Sequence, residues 1–290
     1  MLYKDSAEKP PIKPVRHSER SEESRVFQDL RPFTSFRVTF RGHSSAESYK
    51  IVRKLRKKGK MRNLKAIMEV PGMLTLNEAE YLYRLAQAYP GKGVIVEIGS
   101  WKGKSTICLC LGSMAVGGEK VYAVDPHKPL AEEGYVEDTE AEFHQHIKEA
   151  GVESHVVPMV TTSEEAARGW NKPIRLLWID GDHRYEQVKR DFLLWEPHVI
   201  EGGIIAMHDT IRKKGPKRVL WENIFRSDRF QAVSIVDNIT AARKVKRISA
   251  WGTLTKWATI GCRALYIGAR KLRLPYAKPV GRWILRKLTT

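Results

Sequence analysis

The sequence predicts an α/β protein with a doubly wound, mostly parallel sheet that carries an antiparallel hairpin at one end. Three observations lead there. Val94-Ile95-Val96-Glu97-Ile98-Gly99-Ser100-Trp101-Lys102-Gly103 is an apolar, β-branched run that ends in an acid and two glycines four residues apart. It has the pattern of a strand entering a ligand-binding turn. Three further apolar runs also end on an acid: Val121 to Asp125, Ile174 to Asp180 and Gly203 to Asp209. Helical stripes lie between them, and strand alternating with helix gives parallel pairing. Ligands of such sheets bind beyond the carboxyl ends of the strands, so four acid-tipped strands aim their carboxylates at one cleft.

The elements follow in order. Leu76, Ala79, Leu82, Tyr83, Leu85 and Ala86 form a helical stripe, with Thr75 and Asn77 as caps and Tyr89-Pro90-Gly91 as its end. A strand near 93–98, a helix from Lys104 to Ala115 and a strand at 121–125 come next. A helix near 138–150 and a strand at 156–160 follow, then a short helix from Thr162 to Trp170 capped by Thr162 or Ser163. After the strand at 174–180, Arg184 to Val199 is a helix with Tyr185, Val188, Phe192 and Trp195 on one face. The strand at 203–209 leads to a helix from Gly215-Pro216 to Arg226. Phe230 to Val236 and Ile239 to Val245 alternate as a hairpin about Asp237-Asn238.

Charge divides the chain into an extension at 1–60, a domain at 61–245 and a tail at 246–290. The net charge is +18, yet residues 1–60 hold 16 Lys/Arg against 7 Asp/Glu, and residues 241–290 hold 13 against none. Residues 61–240 are left with 22 against 26, a mildly acidic centre that argues against nucleic acid as the partner. The extension is rich in Pro, Ser, Arg and Glu without periodicity, a composition of disorder. Its segment His17 to Arg25 resembles peptides translated from bacterial intergenic repeats, which makes Met61 a candidate start. Three cysteines form neither a disulfide framework nor a zinc set, which fits a reducing cytoplasm. Cys108 and Cys110 read as packing residues. No run of about 18 uncharged apolar residues is present to cross a bilayer.

A dinucleotide dehydrogenase would carry G-x-G-x-x-G, whose middle glycine admits the pyrophosphate; Trp101 stands in that place. The spacing Gly99-x-x-x-Gly103 instead suits a ligand without phosphates. Val96 to Thr106 resembles motif I of class I S-adenosylmethionine-dependent methyltransferases, with their Rossmann-like sheet. Ile179-Asp180-Gly181-Asp182-His183-Arg184-Tyr185 and Gly202 to Thr210 narrow the resemblance. They point to the branch holding macrocin and mycinamicin sugar O-methyltransferases and cephalosporin-hydroxylase-like proteins, over roughly 70–245.

The resemblance implies that Glu97, Gly99, Ser100 and Gly103 shape the methionine end of an S-adenosylmethionine site. It further implies that Asp125 holds the ribose and that Ser163 and Glu164 stand near the adenine. Asp180, His208 and Asp209 match the positions that bind a divalent cation in the sugar O-methyltransferases. Such an ion, Mg²⁺ or Mn²⁺, would orient and acidify a substrate hydroxyl. His208 departs from the acid usual there and suits Mg²⁺ poorly. His183 occupies the place of the general base.

Structural readings stand beside these: a plain strand-to-helix turn at Gly99 and Gly103, a loop charge at Asp125, a helix cap or buried histidine at His183, a His-Asp turn at His208. Asp182 can cap the helix after it. The expected reaction is methyl transfer to a hydroxyl of a sugar or polyol-like small molecule. One competitor is an iron-dependent oxidative enzyme using His183, His208 and Asp180. The other is a non-catalytic scaffold on the same fold.

In the tail, Lys256, Arg263 and Arg270 recur every seven residues, with Trp251, Leu254, Trp257, Ile260, Leu265 and Ile267 largely elsewhere. This basic amphipathic helix suits an anionic membrane surface at the inner face, or docking on the enzyme or a partner. Tyr276 and Trp283 add interfacial aromatics. Membrane contact would suit a glycan or glycolipid acceptor.

Overall fold

A computed structural model describes residues 67–88, 92–129 and 137–272. The extension at 1–60 and the candidate start at Met61 lie outside the described residues. Seven strands form one sheet: β1 Val94–Ile98, β2 Val121–Val124, β3 Val156–Met159, β4 Ile174–Ile179, β5 Val199–Met207, β6 Phe230–Val236 and β7 Ile239–Lys244. Their order is β3-β2-β1-β4-β5-β7-β6. β1 to β5 pair in parallel, and β7 runs antiparallel to both β5 and β6. The doubly wound sheet with its antiparallel end is therefore present as expected.

Helices α1 Leu76–Leu85, α2 Lys104–Met114, α3 Glu140–Glu149, α4 Ser163–Ala167, α5 Tyr185–Trp195, α6 Lys214–Leu220 and α7 Ala250–Lys271 complete the fold. Thr75 and Thr162 each close a capping box, with Glu78 and Glu165 as the reciprocal acids. Strand alternation sorts side chains between two cores. Ile95, Leu176, Trp178 and Ile204 join α1, α2 and α3 on one face; Val96, Leu177, Ile179, Ile205 and Met207 join α5 and α6 on the other. A one-residue slip would invert this sorting, so burial fixes the register.

Several boundaries differ from the sequence expectation: α4 ends at Ala167 instead of Trp170, and α6 gives way at Trp221 to a π-helical turn, Trp221–Phe225. α5 stops at Trp195 because Pro197 follows in a 3-10 turn, Glu196–His198. β5 begins at Val199 instead of 203: Val199 pairs with Ile174, and the register shifts before Leu176 meets Ile204. Gly202, at φ 81°, lies in that irregular stretch.

Arg175 ties the amino-terminal end of β4 to its neighbours. Fully buried, it donates to the carbonyls of Ala86 and Ala88 at 2.8 and 2.7 Å and to Ser113 Oγ at 2.9 Å, and pairs with Glu119 at 2.9 Å. At the opposite, carboxyl ends, the ladders run on past the strands. Asp180 N–H donates to Ile98 O at 2.8 Å, His208 N–H to Ile179 O at 3.0 Å, and Gly99 N–H to Val124 O at 2.9 Å. Gly99, Asp180 and His208 are thereby held side by side.

Candidate active site

Gly99 makes the turn after β1 at φ 87°. A Cβ there would lie 2.5 Å from the carbonyl oxygen of Asp180, so only glycine lets β1 and β4 close at this edge. Trp101 and Asp209 also hold positive φ, 43° and 49°. Such backbone strain in non-glycine residues clusters where geometry serves a site.

Glu97 is fully buried at the end of β1 and accepts a hydrogen bond from Thr106 Oγ1 at 2.6 Å. Its Oε1 has no hydrogen-bond partner. Burial, with Asp180 and Asp125 adding to it, pushes the carboxyl up to about 8. A buried acid with an orphaned oxygen fits a cationic ligand, which the amino group of S-adenosylmethionine would supply. Ser100, in the turn after β1, is buried and its Oγ is likewise without a hydrogen-bond partner. Gly103 starts α2 at φ 89°.

Asp125 orders the adjoining turn: Oδ2 accepts the N–H of Trp101 at 2.8 Å and Oδ1 that of His127 at 2.7 Å. Each carboxylate oxygen has a second lone pair with which to receive a ribose hydroxyl. Ser163 and Glu164 are engaged with α5. Ser163 Oγ accepts Trp195 Nε1–H at 2.9 Å, and Glu164 pairs with Arg190 at 2.7 Å. Asp182 accepts the N–H of Arg184 at 2.7 Å in a turn before α5, whose cap position is Arg184 and carries no side-chain cap, so Asp182 does not cap the helix as expected.

Asp180, His183, His208 and Pro216 line a depression where β4 and β5 end. His183 Nε2 lies 3.2 Å from Asp209 Oδ2. Burial opposes its charge, but Asp209 and Asp180 outweigh this and raise the imidazole above its ordinary range. Gly215 packs against this segment so closely that a Cβ would lie 2.1 Å from the His183 carbonyl oxygen. His208 presents Nδ1 to Asp180 Oδ1 at 3.0 Å and Nε2 to Glu78 Oε1 at 3.5 Å. Burial again works against the charged ring, yet the two carboxylates push it up to about 11.

Glu78 is the residue that sequence reasoning missed. It comes from α1, before the first strand, and is fully buried. Its Oε2 accepts the N–H of Thr75 and its Oε1 that of Asn238, both at 2.8 Å. One carboxylate thus caps α1, fixes the β6–β7 turn and faces His208. The signal available in the sequence was Thr75-x-x-Glu78, which specifies a helix start and nothing further.

A divalent cation does not fit this donor set as arranged. The two carboxylates beside His208 favour its charged form, in which the ring offers no lone pair, and among the described residues no group of three or more His, Cys, Asp or Glu is disposed to hold a metal. The set expected of an oxidative enzyme, His183, His208 and Asp180, depends on the same His208 ring and is not among such groups.

Residues 96–210 match the family model described as a methyltransferase domain. An uncharacterized protein of Acanthamoeba polyphaga mimivirus is 28% identical over 120 residues, covering 39% of this chain and 50% of that protein. The chain therefore spans half the length of that curated relative. The solved structure of the O-methyltransferase NovP shares the fold with a TM-score of 0.53 at 16% identity, over 60% of this chain and 82% of the other. The matched segment contains Glu97, Asp125, Asp180 and Asp209, so the acids of this cleft lie within the stretch that matches a methyltransferase domain.

Proposed function

We propose that the chain transfers a methyl group from S-adenosylmethionine to a hydroxyl of a sugar or other polyol-like small molecule, with His183 as the base. The pairing of His183 with Asp209 at 3.2 Å carries this reading. A carboxylate fixes the ring through Nε2 and directs the other nitrogen, Nδ1, to take the hydroxyl proton. NovP, whose fold the chain shares, is an O-methyltransferase, which supports oxygen as the acceptor.

When bound, the cofactor supplies an electrophilic methyl group on a sulfonium. Glu97 would hold the amino group, the turn at Gly99 would admit the cofactor against the backbone, and Asp125 would receive the ribose hydroxyls. Asp180 and Asp182 offer acceptors to the hydroxyls of a polyol. As the carbon–sulfur bond of the sulfonium breaks and the methyl passes to the acceptor oxygen, leaving a neutral thioether, His183 would take the hydroxyl proton and Asp209 would stabilise the resulting imidazolium. Positioning and removal of one proton account for the catalysis. His208 needs no metal in this scheme: it is itself the cation among Asp180, Glu78 and Asp209.

Calorimetric titration of S-adenosylmethionine into the full chain tests the cofactor site. Asp125→Ala is expected to weaken binding roughly 10- to 100-fold, the worth of a charge-assisted hydrogen bond. His183→Ala is expected to bind normally but lose about 10²- to 10⁴-fold in kcat. Chelator should change neither quantity. Turnover restored only by Mg²⁺ or Mn²⁺ would return a metal to Asp180 and Asp209, and absence of cofactor binding would leave a scaffold in place of an enzyme.

A further inference from the structure

α7 docks with the opposite face to the one its sequence advertises. Lys256 and Arg263 are buried, 3% and 6% exposed, and point into the domain. Lys256 Nζ donates to the carbonyl of Ser227, and Arg263 Nη2 to that of Thr210, the residue after Asp209. The Arg263 guanidinium also sits over the Phe225 ring, 5.5 Å from its centroid. Tyr266 packs with Ile235 of β6. These anchors fix the rotation of the helix about its axis, and with it the face turned outward.

That outward face is apolar. Trp251, Leu254, Trp257 and Leu265 are 54%, 60%, 47% and 75% exposed. From Ala250 to Gly268 the only Lys, Arg, Asp or Glu residues are the buried Lys256 and Arg263. The threonine hydroxyls along the helix are satisfied within it: Thr253, Thr255 and Thr259 donate to the carbonyls of Ser249, Trp251 and Thr255. Trp221, itself exposed, meets Trp257 edge to face at 6.4 Å and extends the patch onto the domain body. One turn before Trp221, Lys217 is exposed on the same helical face.

We infer that this face is a docking surface for an anionic lipid bilayer, on which α7 lies flat with its tryptophans in the headgroup layer. Charge complementarity selects this occupant. The last 50 residues hold 13 Lys/Arg and no acid, and seven of these cations, from Arg270 to Lys287, follow the apolar residues of α7 in the sequence. An apolar face rich in Trp and Leu and continued by cations is the pattern of interfacial binding, in which burial of the apolar side and attraction to anionic headgroups add. The helix does not cross: among the described residues none is long and apolar enough to span a membrane. The inference is independent of methyl transfer, because the outward residues touch neither the cofactor site nor His183.

Cosedimentation of the full chain with vesicles tests it. Vesicles of phosphatidylcholine with about 30% phosphatidylglycerol should bind at least about tenfold more tightly than phosphatidylcholine alone, with a blue shift of tryptophan emission. Binding should fall as salt is added. The triple substitution Trp251→Ser, Leu254→Ser, Leu265→Ser should weaken that binding about tenfold or more while the circular dichroism and S-adenosylmethionine affinity stay those of the wild type. Three outcomes overturn the inference. These are no preference for anionic vesicles, equal binding by the triple variant, or a wild-type dimer that the triple variant splits into monomers, which would make a second copy the occupant.

Discussion

At the scale of single residues, the site turns on a carboxylate outside the matched domain. Glu78 answers three demands at once, and burial leaves no water to replace it. Burial by itself would raise its pKa, but His208 and the N–H groups of Thr75 and Asn238 outweigh this and hold the carboxyl below its ordinary range. Removing one member of a buried pair costs about 3–5 kcal/mol, because the partner charge is left uncompensated. Glu78→Ala should therefore destabilise the protein by about that amount in urea denaturation, with Glu78→Gln costing less. Both should lower the pH at which the His208 imidazole titrates by NMR. Unchanged titration in both variants would separate Glu78 from His208. The acid-tipped strands were legible in sequence because each carboxylate follows its own apolar run. Glu78 was not, since 130 residues separate it from His208 and only the folded sheet brings α1 over the end of β5. The engagement of Ser163 and Glu164 with α5 was hidden for the same reason.

At the scale of elements, β4 is held at both ends, and the ends do different work. Its carboxyl end places Asp180, while Arg175 at the other end binds the last turns of α1 and α2 to the sheet. Four partners and complete burial mean that loss of the guanidinium takes this donor from two carbonyls and the counter-charge from Glu119 together. Arg175→Met, close in volume, should cost roughly 3 kcal/mol or more in denaturant unfolding. The S-adenosylmethionine affinity of the folded fraction should stay within about twofold, since additivity holds for distant sites. A large affinity loss without a stability loss would contradict this division of labour. Strand and helix identities were readable from periodicity, and the ends of α5 and β5 were missed where Pro197 and the irregularity near Gly202 break the pattern. The helical periodicity of α7 was equally plain. Which face is outward was not, because a basic stripe ordinarily seeks water and here donates its protons to buried carbonyls.

At the scale of the whole molecule, the buried charges of the cleft set how stability responds to pH. Burial raises the Glu97 carboxyl to about 8, so the folded protein holds a proton there that the unfolded chain releases above its ordinary carboxylate range. The stability this proton contributes is complete below that range and is lost as pH climbs to about 8. His208 acts in the same sense: its charge, held up to about 11, stabilises below the ordinary imidazole range and fades as pH rises through the folded value. Glu78 and Asp209, held below their ordinary ranges, work only at acid pH, where their protonation removes stability. Between pH 6.5 and 9 the ligand-free chain should therefore lose stability as pH rises. Each proton of difference is worth about 1.4 kcal/mol per pH unit, or roughly 3–5 °C in Tm. Thermal scans at pH 6.5, 7.5 and 9 measure it, and Glu97→Gln should flatten the part of the slope below pH 8. In the proposed site S-adenosylmethionine would bring an ammonium to Glu97 and stabilise the ionised carboxylate. Its binding at pH 7 should then release up to about one proton, visible as a dependence of the calorimetric enthalpy on the ionisation enthalpy of the buffer. A Tm that rises between pH 6.5 and 9, with no proton released on binding, would mean that Glu97 is already ionised in the folded protein and does not form the end of the cofactor site.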